Sequence, residues 1–192
     1  LLLGLVGRAL YVSDHAAAFE LLQAGLRADV FDAATQARLQ AALRRVRLAL
    51  GRQALEQGQI AEARALSDAL LADQPGGEAL LFDTRLTAAE RGPQAVLACV
   101  QGYLPHLGND PVHHGRVLAE KGRAQLALKQ PEAALSTLQQ AAQLEQGDPE
   151  TLSLLAQAHH VLARPEAKAW ANLALQAGAD PAPLKAILPL EN

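Results

Sequence analysis

Residues 50–77 read LGRQALEQGQIAEARALSDALLADQPGG. Two helix-forming runs flank the polar turn Gly58-Gln59, and the second run stops at Pro75-Gly76-Gly77. Gly51, Ala63 and Pro75 stand at successive intervals of twelve, and Gly122 and Ala134 repeat the first of those intervals. Small residues returning at a fixed distance are the signature of a repeat. A helical hairpin of this length cannot bury its apolar face alone, so such hairpins stack on copies of themselves. The expected fold is all-α, a helical-hairpin solenoid, whose work is holding a partner rather than transforming a substrate.

The composition agrees. The 192 residues carry a net charge of -3, and 50% are hydrophobic but only 3% aromatic. Isoleucine occurs only at Ile60 and Ile187, so strong helix formers are abundant and β-branched residues scarce. Mild acidity argues against a dedicated nucleic-acid binder, which needs clustered cations to release counterions. Residues 1–6 are apolar but too short to span a bilayer. With Cys99 as the single cysteine, no intrachain disulfide exists, and that thiol reads as a small buried hydrophobe. The absence of methionine points to a piece of a longer protein.

Hairpins are expected at 1–28, 32–74, 78–107, 111–146 and 149–178, with a short closing helix over 181–188. Leu39, Leu43, Val46, Leu50 and Ala54 fall on one stripe of a long helix opened by Asp32. Ser13 or Asp14 can cap the second helix and Asp110 the helix that follows it, and Pro111 suits a first helical position. Pro105 should end or kink its helix early. Gly178 suits a left-handed helix end.

These hairpins resemble the tetratricopeptide repeat, a 34-residue helix–turn–helix unit. Residues 44–77 carry the best match through Leu50-Gly51, Ala54, Gly58, Ala63 and Pro75. Residues 114–147 follow through Gly122, Ala134, Leu138 and Ala141, and residues 148–181 through Leu152, Leu155 and Ala156. The aromatics that the family often places in the first helix are absent: Arg47 and Ala54 stand there. The resemblance implies a right-handed α-α superhelix with a concave groove lined by the first helix of each pair.

Carried onto this sequence, the groove face holds Arg45, Leu48, Arg52 and Leu55, then Phe82, then Arg116 and Arg123, then Gln157. Guanidinium groups grip carboxylates bidentately, so a protein or peptide partner with an acidic segment would suit this face. The plainer reading pairs these arginines with nearby acids such as Glu56 and Glu120, which contributes little at a surface. Leu48 and Arg52 stand where chaperone-binding members place a lysine and an asparagine, so binding of chaperone tails is not implied. Arg38, Arg44, Arg45, Arg47 and Arg52 make one helix locally basic, but no aromatics interleave for base stacking.

No catalytic or cofactor motif is present: no phosphate loop, no nucleophile elbow, no glycine-rich dinucleotide turn. His113-His114 and His159-His160 are adjacent pairs whose side chains diverge on a helix, so no metal site is expected from them. Trp170 reads as packing at the end of the stack. The expected function is a protein–protein interaction scaffold within a larger bacterial-type protein. The alternative is a domain for self-association as a homo-oligomer, or for regulation of an attached transcriptional or envelope-assembly module. An enzyme is not expected.

Overall fold

The structure, a computed structural model, describes residues 2–11, 14–28, 31–72 and 75–188, and among these it contains helices and turns but no strand. The chain divides into two compact units, Leu1–Pro75 and Gly76–Asn192. The first holds α1 (Leu2–Tyr11), α2 (His15–Arg27), α3 (Ala33–Glu56) and α4 (Ile60–Ala72). The second holds α5 (Gly77–Arg91), α6 (Pro93–Tyr103), α7 (Pro111–Ala127), α8 (Pro131–Leu144), α9 (Pro149–Val161) and α10 (Ala167–Gln176).

Helix starts follow the local chemistry. The Asp14 carboxylate accepts from the Ala17 N–H at 2.9 Å and Asp32 from Thr35 at 2.7 Å. In the second unit Asp110 accepts from the His113 N–H at 3.1 Å and Asp148 from Thr151 at 2.7 Å. Each satisfies a backbone donor that the first helical turn leaves free. Pro111 and Pro149 occupy first positions, where the missing N–H costs nothing. Pro105 has the expected effect: α6 ends at Tyr103 and the chain tightens into a 3-10 turn, Leu104–Leu107. Over residues 181–188 only a single 3-10 turn forms, Ala182–Leu184. Pro181 and Pro183 each remove a donor there, so a longer helix has too few bonds to propagate.

Among the described residues, four helix ends share one turn. After α3 the Gly58 N–H reaches Leu55 O at 3.0 Å and the Gln59 N–H reaches Ala54 O at 2.8 Å. The same pair of bonds closes α7 at Lys129 and Gln130, α9 at Ala163 and Arg164, and α10 at Gly178 and Ala179. The residue in the left-handed conformation is Gly58, Lys129, Ala163 or Gly178, with φ between 52° and 93°. Lys129 and Ala163 lie 34 positions apart (163 − 129), which is one repeat. Each carries a Cβ where the backbone disfavours one by about 1–2 kcal/mol. Ala163→Gly is therefore expected to stabilise the chain by about 0.5–1 kcal/mol after the unfolded-state entropy of glycine is deducted, measurable by denaturant unfolding.

In the first unit, Val6 and Ala9 of α1, Ala18 and Leu22 of α2, and Leu39, Leu43 and Val46 of α3 form one buried cluster. In the second, α5 packs beside α7 and α7 beside α9, while α6 and α8 each cover the next first helix. Leu118, Leu135, Leu138, Leu154 and Leu155 fill the space between α7, α8 and α9. Burying each such leucine stabilises by about 1.5–3 kcal/mol relative to leaving it in water. Gly51 and Ala63 are both buried, as are Gly122 and Ala134. A Cβ built on Gly122 would lie 2.6 Å from Cγ of Leu138, which is why no larger residue fits at that crossing.

The α5–α6 hairpin is closed by a polar cluster. Asp83 is buried on α5, and its Oδ2 accepts from the Tyr103 hydroxyl at 2.6 Å and from the Thr87 hydroxyl at 3.4 Å. The Cys99 thiol lies 3.7 Å from the same oxygen. Burial pushes the Cys99 thiol up, so it stays protonated and able to donate. Cys99 is half-buried and serves this cluster rather than a purely apolar one.

Candidate functional site

In the second unit the first helices α5, α7 and α9 lie side by side, and the face they share is the one the tetratricopeptide resemblance assigns to the inner side of the stack. Four charged residues from these helices make one network. Arg85 of α5 donates through Nε to Glu120 of α7 at 2.5 Å and through a terminal nitrogen to Glu150 of α9 at 2.6 Å. Arg123 of α7 donates to the other oxygen of Glu150, and its Nε lies 3.4 Å from Glu120. Burial pulls the Arg85 guanidinium down, but Glu120 and Glu150 beside it outweigh that and hold it above its ordinary value. The Glu120 side chain is 6% exposed and the Glu150 side chain 38%. Glu120 is thus an internal partner, whereas the Glu150 carboxylate sits at the solvent edge, gripped by two guanidinium groups.

Arg116 makes a separate bidentate pair. Its Nε and a terminal nitrogen donate to the two Glu145 oxygens at 3.0 and 2.8 Å, across from α7 to the end of α8. Those hydrogen bonds raise the Arg116 guanidinium above its ordinary value.

Beside the network, a cleft of about 470 Å³ opens between α7, α9 and the turn that follows α10. Arg123, Glu150, Ser153, Gln157 and Asp180 are among its walls. Gln157 donates to the Ser153 hydroxyl at 3.3 Å.

The expected groove residues fall in both units. Arg45, Leu48, Arg52 and Leu55 lie on α3 of the first unit, and Phe82, Arg116, Arg123 and Gln157 lie in the second. Arg123 and Gln157 come together at the cleft. Arg45 and Arg52 are exposed and Leu55 is half-buried. Leu48 and Phe82 are buried, so neither side chain faces solvent. Both helices are covered from two sides, α3 by α2 and α4, and α5 by α6 and α7; a stripe one helix wide in the sequence becomes two buried faces. Glu120 does take Arg123, as the plainer reading has it. Arg85, Glu145 and Glu150 were not legible as part of the site. One signal existed: Arg85 and Glu120 are 35 positions apart (120 − 85), close to one repeat, which places them on neighbouring first helices.

Among the described residues no group of His, Cys, Asp and Glu gathers as metal ligands. No described helix is long and apolar enough to cross a membrane. His113 Nδ1 lies 2.6 Å from the Asp110 carboxylate at the start of α7. His159 is buried and stacks on Trp170 with ring centres 6.2 Å apart, in the last hairpin.

No family model and no curated protein sequence matches the chain. Solved structures do. A thermophilic TPR protein of Thermus thermophilus, TTC0263, is similar at a TM-score of 0.62 and 20% identity, over 97% of this chain and 94% of that one. The fold is tetratricopeptide-like. The MamA protein is similar at a TM-score of 0.60 and 15% identity, over 100% of this chain and 95% of that one. A chain of the APC/C Cut9–Hcn1 hetero-tetramer is similar at a TM-score of 0.65 and 19% identity; the match covers 92% of this chain but 33% of that one. At these identities the tetratricopeptide-like likeness speaks for the fold, and function rests on the site.

Proposed function

We propose that the protein is an interaction scaffold that takes an acidic peptide segment or the edge of a partner subunit on the inner face of α7 and α9. Helical-hairpin stacks present such faces as extended binding surfaces. The observation that carries this reading is the cleft beside Arg123, where two guanidinium groups already hold one solvent-edge carboxylate. A partner carboxylate would meet the same planar forks by exchanging with Glu150, while Glu120 keeps the arginines oriented from below. Ser153 and Gln157 supply neutral donors and acceptors for the peptide backbone further along the cleft.

The test is fluorescence anisotropy with a labelled peptide ending in a run of Asp and Glu, titrated at several salt concentrations. Arg123→Ala should weaken binding about tenfold or more, because it removes one of the two forks. Glu150→Gln should strengthen it by removing the internal competitor. Unchanged affinity in both variants would take the inner face out of the account.

Self-association is the second reading. Val161 is 63% exposed and Leu173 is 46% exposed on the last hairpin, and exposed large apolar side chains favour association. A sedimentation profile that stays monomeric across concentration would remove it.

A further inference from the structure

We infer that the first unit carries a second, separate docking groove, and that its partner is a basic amphipathic helix. The groove runs between α2 and α4 over the surface of α3, with a volume of about 800 Å³. It is independent of the inner-face reading, since every residue lining it lies in the first unit.

The two walls match. Positions 16, 19, 20 and 23 of α2 line one side, and positions 62, 65, 66 and 69 of α4 line the other with the same spacing. Each set is a single helical stripe, so each wall is one ridge of side chains, with the furrow between the two. Each stripe covers about 10 Å of helix axis, or two turns. Phe19 and Leu66 of the walls and Leu50 of α3 make the apolar lining, and all three are half-buried, neither packed away nor fully in water.

Both the shape and the backbone favour a helix as occupant. The walls are helices whose backbone groups are already paired, so an extended peptide would find no ladder to join, and Gln23 is the one uncharged polar side chain among the lining residues that could meet its N–H and C=O groups. A helix satisfies its backbone internally and needs from the groove only an apolar floor for side chains spaced three and four apart.

Charge fixes the sign of the partner. Asp14, Glu20 and Glu62 are exposed on the rim, and Arg47 is the one basic residue among the lining residues. Three carboxylates against one guanidinium make the rim acidic, so lysines or arginines flanking the apolar face of the partner are attracted and acids repelled. A second copy of this chain is a poor occupant. Its most basic helix, α3, already buries Leu39, Leu43 and Val46 in its own core.

The experiment uses the full chain and two labelled peptides of about 14 residues, long enough to cross the groove. One has leucine on one helical face and lysine on the other; its counterpart has glutamate for every lysine. Fluorescence polarisation should show the lysine peptide binding about tenfold or more tightly than the glutamate peptide. Ala65→Arg fills the furrow from an exposed wall position and should weaken the lysine peptide about tenfold. The double reversal Glu20→Lys with Glu62→Lys, both exposed, should invert the preference between the peptides. Circular dichroism melts unchanged from wild type show that the variants fold. The inference is overturned by equal affinity for the two peptides, by no binding of the lysine peptide, or by binding indifferent to Ala65→Arg. It is equally overturned if sedimentation shows a wild-type dimer that Ala65→Arg dissolves, since the groove would then belong to a second copy.

Discussion

Leu138→Ala is expected to lower the unfolding free energy by about 2–5 kcal/mol, the cost of emptying a fully buried leucine site that neighbours cannot refill. Leu138 is 0% exposed and lies in the cluster shared by α7, α8 and α9. It also closes directly on Gly122, where an added Cβ would come within 2.6 Å of its Cγ and one of its methyl carbons. Cγ is the branch point of the side chain and cannot swing aside as a tip could. Gly122→Ala alone is therefore expected to destabilise, even though alanine is the better helix former by about 1 kcal/mol. In the Leu138→Ala background that clash is gone, so the same Gly122→Ala change should become stabilising. Denaturant unfolding of the two single variants and the double variant measures the coupling. Simple additivity would mean that close approach of α7 and α8 is not what requires a glycine at position 122.

The second large effect is Tyr103→Phe, expected to cost about 1–3 kcal/mol. The Asp83 carboxylate is buried and accepts from the Tyr103 hydroxyl at 2.6 Å. Removing the hydroxyl leaves a buried acceptor short of a partner, which costs more than the bond itself contributed. Replacing both partners, Asp83→Leu with Tyr103→Phe, should recover part of the loss, because the carboxylate no longer has to be desolvated. The same pair predicts a pH response. Burial first, and then the Asp83 carboxylate, push the Tyr103 hydroxyl well above its ordinary value of 10.0. A group raised in the folded state contributes its stability in full below the unfolded value and loses it as pH rises beyond that. Wild type should therefore lose stability above about pH 10, and Tyr103→Phe should lose less over the same range.

Several elements were legible because their causes are local. Asp14, Asp32, Asp110 and Asp148 cap the helices they precede, since an acceptor three residues before an N–H needs no distant neighbour. Pro105 ends α6 through its own ring. Gly122 and Ala134 marked a repeat by their spacing, and the tetratricopeptide resemblance implied a helix crossing there. The turns at Lys129 and Ala163 were harder to see. Neither residue favours a left-handed backbone, and the hairpin geometry imposes it on both.

The candidate sites were less legible, and the reason is that they are assembled across elements. Arg116 and Arg123 were visible as basic residues on a helix face, but their acids, Glu145 and Glu150, come from α8 and α9. Glu150 looked like an ordinary first-turn acid of α9 and is also the carboxylate that Arg85 and Arg123 share. Leu48 and Phe82 had the spacing of surface positions and lie inside, because helices on both flanks of α3 and α5 cover a wider arc than a single stripe predicts.

By itself the sequence determined what depends on one residue and its near neighbours: all-helical structure, where helices start and stop, and which small side chains permit close crossing. Tertiary structure alone decided which charges meet, that Asp83 is buried against Tyr103, and that α2 and α4 leave an acidic-rimmed furrow between them. Those outcomes depend on distances between side chains far apart in the chain, and desolvation and Coulomb energies vary steeply with such distances. No periodicity within a single helix encodes them.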